Sequence, residues 1–267
     1  NPTLSVNLNR QKNPKPYFYR TESFLQLFSF GLFFIFLLQV AMSSSSSNTP
    51  LSSPTTISHL PSTKQILAVF DFDGTLTTCD SLQLFLKFAC GGTYPFLLKL
   101  LLGLPKLTLA AIRKPTRDAL KETILSIFLH GKCYQELQNL ADLFASAVLP
   151  TIERPQLISR LHHHLNAHHR VILLSASPEL YLLPWARKHG IQEVLATRLK
   201  FNSNGVFIGH FDGPNCRGRE KLRRLQTYLG SLQPYHLIAY ADSHSDRFIM
   251  QHAQEKFYIN SNNDSFP

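Results

Sequence analysis

Three short apolar runs frame the chain: 66–70 (ILAVF), 170–174 (RVILL) and 236–241 (HLIAYA). Their apolar residues are consecutive rather than alternating with polar ones, so each predicts a strand buried on both faces. Between and after them, apolar residues recur at helical spacing over 153–167, 180–189 and 219–229. Buried strands alternating with helices predict an α/β fold, a Rossmann-like parallel sheet whose ligands sit at the carboxyl ends of its strands. The stretch 196–212 has Asn204-Gly205 between two alternating runs and predicts a β-hairpin.

Before residue 65 the pattern differs. Residues 24–41 are eighteen consecutive uncharged, mostly apolar residues preceded by Arg10, Lys12, Lys15 and Arg20. They suit a signal anchor or a cleaved signal peptide. A third reading places the start at Met42, the first methionine, with 1–41 as upstream sequence. Residues 43–64 are Ser/Thr/Pro-rich and predict a tail, so 1–64 are set apart from the folded part. This division also changes the meaning of the charge. The 267 residues carry 27 Lys plus Arg against 17 Asp plus Glu, a net +10. Residues 1–64 hold five of those bases and one acid, leaving 22 and 16, a net +6, for the remainder. That excess suits anionic partners, but there is no recognition motif or aromatic stacking platform for nucleic acid, and none is expected as a partner. The four cysteines show no C-x-x-C pair, so reduced thiols and a cytoplasmic location are expected.

Each apolar run leads into polar residues. The first ends in Asp71-Phe72-Asp73-Gly74-Thr75, two carboxylates at i and i+2 that can both face a site once the chain turns at Gly74. The second ends at Ser175, and the third at Asp242, with Asp246 four residues on. Lys221 stands at a helix start in Gly218-Arg219-Glu220-Lys221. The histidines at 162–164, 168 and 169 fall on a polar helix and its following turn and are expected at the surface. Cys79 is expected to be a packing residue, and the arginines at 217, 219, 223 and 224 a solvated helix face.

In this order the four polar sites resemble the motifs of the haloacid dehalogenase superfamily of phosphohydrolases, over residues 66 to about 260. The stretches Leu173-Leu174-Ser175-Ala176-Ser177-Pro178-Glu179 and Asn215-Cys216 through Lys221 are similar to the phosphoserine-phosphatase-related branch, subclass IB. The resemblance implies a core of 65–83 and 168–267 with a helical cap inserted at 84–167. It implies hydrolysis of a phosphate monoester through an aspartyl-phosphate. Asp71 would be the nucleophile and Asp73 the acid and base, with Ser175 and Lys221 binding the phosphoryl oxygens. Mg²⁺ would be held by Asp71, the Asp73 main-chain carbonyl, Asp242 and Asp246. One departure is visible: Ala241 precedes Asp242 where the family pattern has Gly.

The cap bears on substrate. Ser175 is followed by Ala176-Ser177-Pro178 rather than the Gly-Gly of phosphoserine phosphatases, which argues against phosphoserine. Residues 94–112 are apolar but for two lysines, and predict either two buried helices broken near Gly103-Leu104-Pro105 or a segment inserted into an anionic membrane surface. This segment is similar to that of phosphatidylglycerophosphatase C. The leading expectation is therefore a lipid phosphate substrate, such as phosphatidylglycerophosphate, and peripheral association with the inner face of a membrane. The alternatives are a soluble metabolite of the histidinol phosphate or phosphoserine type, and a non-catalytic membrane-associated binding protein.

Overall fold

The computed structural model describes residues 64–259. The segment 24–41, the alternative start at Met42 and all of the tail but Lys64 lie outside the described residues.

The strands are β1 (Gln65–Phe70), β2 (Arg170–Pro178), β3 (Glu193–Thr197), β4 (Leu199–Phe201), β5 (Phe207–Phe211), β6 (Tyr235–Ala241) and β7 (Glu255–Tyr258). Five of them form one parallel sheet in the order β3-β2-β1-β6-β7. The helices are α1 (Ser81–Ala89), α2 (Thr93–Arg113), α3 (Arg117–Leu129), α4 (Tyr134–Ala147), α5 (Pro155–Asn166), α6 (Glu179–Lys188), α7 (Arg219–Leu229) and α8 (Arg247–His252).

The apolar runs are continuous because both faces of the sheet are covered. In β1, Leu67 and Val69 point to one face, where Leu225 of α7 and Ile249 and Met250 of α8 complete a core. Ala68 and Phe70 point to the other, against Leu157 and Leu161 of α5 and Tyr181 and Trp185 of α6. That second core continues through Phe85, Phe128 and Phe144 into α1, α3 and α4. Phe70 stacks on Tyr240 at 4.3 Å and Tyr240 on Phe257 at 4.7 Å, tying three neighbouring strands together. Each fully buried ring of this kind contributes about 1.5–3 kcal/mol from the area it removes from water.

His164 departs from its predicted surface position. It is buried, with Nε2 3.0 Å from the Tyr240 hydroxyl and Nδ1 2.8 Å from Nδ1 of His169. Burial lowers its pKa to about 4, so it is a neutral core residue, while His162 and His163 are exposed.

The hairpin predicted over 196–212 forms as antiparallel β4 and β5, turning at Asn202–Gly205, but Ala196 belongs to β3 of the main sheet. The hairpin packs against α3. Residues 93–113 make one helix that runs through Pro105, not two, and α2 is not buried: of its residues only Phe96 and Gly103 are. Asp80 caps α1 through the Gln83 amide, and Gly91-Gly92, both at positive φ, separate α1 from α2.

Candidate active site

Strand register assembles the site. Phe70 pairs with Leu173 on one side and Tyr240 on the other, so the next residue, Asp71, emerges between the ends of β2 and β6. The sheet thus brings Asp71, Ser175 and Asp242 to one edge. Lys221 arrives from the first turn of α7, and Asp246 from the short turn His244–Asp246 ahead of α8.

Lys221 is 2% exposed and lies between two carboxylates. Its Nζ is 2.7 Å from Asp71 Oδ1 and also donates to Asp246 Oδ1. Asp71 Oδ1 accepts a further hydrogen bond from the Phe72 amide at 2.8 Å. Asp246 Oδ2 accepts from the hydroxyls of Ser243 at 2.8 Å and Ser245 at 3.0 Å. One ammonium cannot fully compensate two buried carboxylates, and the protonation equilibria divide accordingly. Burial would raise the Asp246 pKa, but Lys221 and the two serine hydroxyls hold it below the usual carboxylate range. Burial pushes Asp71 up to about 8, against the pull of Lys221 and with the charge of Asp246 adding to the rise. Burial alone would lower Lys221, yet the two acids outweigh it and keep the ammonium charged.

Asp73 faces elsewhere. One carboxylate oxygen accepts from the Ser81 amide at 2.8 Å and the other from the Ser177 hydroxyl. Its pKa is pushed up to about 6, by burial first and then by the charge of Asp80. Asp73 lines a cavity of about 430 Å³ together with Gly74, Asp80, Arg154 and Asp242. Ser175 is buried, and its Oγ accepts from the Ser177 amide at 3.0 Å. Cys79, expected to pack, is exposed and is one of the residues lining this cavity.

Further residues, not singled out by the strand-end pattern, hold these groups in place. Ser81 and Ser177 orient Asp73, Ser243 and Ser245 orient Asp246, and Arg154 lines the cavity with its Nε donating to the Thr77 carbonyl at 3.3 Å. The signal for three of them is the density of serines at the end of β2 and just after β6.

Oxygens of Asp71, Asp242 and Asp246 lie within 4.8 Å of one another. With all three ionised, the carboxylates outnumber the cations of Lys221 and Arg154 beside them, and every donor is oxygen. That donor set fits a hard divalent cation such as Mg²⁺. The backbone supports the fit at Gly74, which has φ +74°. A Cβ there would lie 2.1 Å from Asp242 Oδ2, so the carboxylate packs where a side chain would otherwise stand. Gly74→Ala is expected to cost about 1–3 kcal/mol through left-handed strain and to push Asp242 away from Asp71. Urea unfolding with and without Mg²⁺ checks both: the variant should be less stable and should lose the stabilisation by the cation.

A Rossmann-like sheet with carboxylates converging at its strand ends and a buried lysine beside them defines a class of hydrolase. The sequence pattern of the haloacid dehalogenase-like hydrolases matches residues 68–251, and the chain belongs to that family. It is 33% identical to Protein CicA of Caulobacter vibrioides over 196 residues, 72% of this chain and 85% of that one. Among solved structures, a protein of unknown function from Bordetella pertussis Tohama I superposes with a TM-score of 0.62 at 22% identity, covering 73% of this chain and 90% of its own. A phosphoserine phosphohydrolase-like protein from Francisella tularensis reaches 0.51 at 20% identity, covering 72% and 86%. Both likenesses are of fold.

Proposed function

We propose that the protein is a Mg²⁺-dependent phosphomonoesterase of subclass IB that works through an aspartyl-phosphate, with a lipid phosphate as its leading substrate. The observation that carries this reading is the pairing of Asp71 with buried Lys221 beside Asp242 and Asp246. A carboxylate attacking a phosphate dianion needs positive charge at the reacting oxygens. Lys221 provides a fixed share of it. Bound Mg²⁺, held by Asp71, the Asp73 carbonyl, Asp242 and Asp246, would supply the rest.

An Asp71 oxygen attacks phosphorus, and the bond to the ester oxygen breaks. Asp73, protonated at the outset, gives its proton to the departing alkoxide; it then takes a proton from the water that attacks the phosphorylated Asp71, releasing phosphate and restoring the Asp71 carboxylate and the protonated Asp73. A pKa near 6 suits a group that must give and then accept a proton close to neutrality. The Ser175 hydroxyl and the Lys221 ammonium bind phosphoryl oxygens.

We assign α1 to α4 as the cap. Helix α5 packs on the sheet, which supports an end to the cap near residue 150, ahead of the 167 expected from the sequence. The apolar outer side of α2 supports a lipid phosphate over a soluble one. A panel of phosphatidylglycerophosphate and soluble monoesters, assayed with and without Mg²⁺, tests the proposal. Metal-dependent hydrolysis favouring the lipid ester is expected. Turnover of soluble esters alone overturns the lipid assignment, and no metal-dependent hydrolysis of any ester overturns the enzyme.

A further inference from the structure

We infer that α2 is a docking helix that lies in the surface of an anionic lipid bilayer. The inference goes beyond the catalytic reading and does not depend on it. At 100° per residue, α2 carries three stripes along its length of about 31 Å. The inner stripe holds it to the protein: Phe96 stacks on Phe128 at 4.8 Å, and Gly103 sits against Ile127, where a Cβ would come within 2.6 Å of Cδ1. The outer stripe, at spacings of three and four, is Tyr94, Leu98, Leu101, Pro105 and Ile112, with Leu102 and Leu109 along one edge. Leu98, Leu101 and Leu102 are 58%, 63% and 72% exposed, and Tyr94 and Ile112 are each 80% exposed. The third stripe is Lys99, Lys106 and Arg113, a row of cations seven residues apart beside the apolar one. No acidic residue occurs on the helix.

An apolar face edged by a straight row of cations is complementary to acyl chains beneath anionic headgroups. Other occupants fit poorly. A second copy seated on this face would bring two basic rows together with no carboxylate on either helix to pair with them. A transmembrane orientation, which the length and hydropathy of α2 would permit, would require the stripe that packs on α3 to face lipid as well. The helix therefore lies on the bilayer with its inner side still attached to the protein.

The test is partition of the full chain onto vesicles of phosphatidylcholine with or without phosphatidylglycerol, followed by sedimentation. Stronger partition onto the anionic vesicles, weakened by added salt, is expected. The Leu98→Glu/Leu101→Glu variant should partition roughly 10- to 100-fold more weakly, while its far-ultraviolet circular dichroism and its hydrolysis of soluble esters match the parent. In a Leu101→Trp variant, brominated acyl chains should quench the added fluorescence, with buried Trp185 as the unquenched background. Equal partition of the double variant and its parent shows that another segment, such as 24–41, carries binding, and overturns the inference. Absence of quenching overturns it too, as does light scattering that shows a dimer in the parent and a monomer in the double variant.

Discussion

Replacing Asp71 with Asn is expected to reduce turnover by about 10⁴-fold or more, the scale on which loss of a catalytic nucleophile acts. The substitution keeps shape and most contacts. An amide oxygen can still accept from the Phe72 amide and from Lys221, as Asp71 Oδ1 does at 2.8 and 2.7 Å. It cannot attack phosphorus. Stability should hold or rise, because Lys221 keeps Asp246 as its counter-ion and the carboxylate with the raised pKa is the one removed. Initial rates with Mg²⁺ and a melting curve check the two halves together. Activity within tenfold of the parent would remove Asp71 as the nucleophile, and a large loss of stability would show that its charge supports the fold.

Lys221→Met is expected to cost both activity and stability, the latter by about 3–5 kcal/mol near pH 8, as when one partner of a buried ion pair is removed. The variant retains Asp71 and Asp246 in a site where the lysine is 2% exposed, and no ammonium lies between them. The sign of the pH dependence follows. Without Lys221, both carboxylates have folded pKa values above their unfolded values near 4, so the folded state binds more protons. The variant therefore gains stability as pH falls through those values and loses it as pH rises. In the parent, Asp246 behaves oppositely: its lowered pKa gives stability above the unfolded value that is lost as pH falls through the folded one. The stability gap between parent and variant should be widest at pH 8 and narrow towards pH 5, measured by urea unfolding. A gap independent of pH would mean that Lys221 contributes by packing alone.

The parallel core was legible because burial on both faces leaves a plain signature. The three apolar runs became β1, β2 and β6, and the helical spacing over 219–229 became α7. The edge strands were not legible. β7 reads EKFY with three of four residues charged or exposed, and β3 is short, with its last two residues, Ala196 and Thr197, continuous with the extended pattern of the hairpin. α2 misled by composition, since Gly103 and Pro105 suggest a break. Gly103 instead allows close contact with Ile127, and Pro105 sits on the outer face of a helix that continues past it. The charged members of the site could be read from their order at strand ends. Ser81 could not, because it reaches Asp73 through its main-chain amide, which leaves no mark on residue type, whereas Ser177, Ser243 and Ser245 act through hydroxyls close to Ser175 and Asp242 in the chain.

The chain on either side of 79–151 is held together. Thr77 forms an antiparallel bridge with Glu153, the Thr78 amide donates to the Ile152 carbonyl at 2.8 Å, and the Arg154 amide to the Leu76 carbonyl at 2.8 Å. The chain leaves and re-enters the core at one doorway, so the sheet does not register how long the excursion is. A splice across the excursion with a short turn is expected to leave the strand ends that carry the carboxylates where they are. A change within the excursion is thereby separated from a change at the carboxylates.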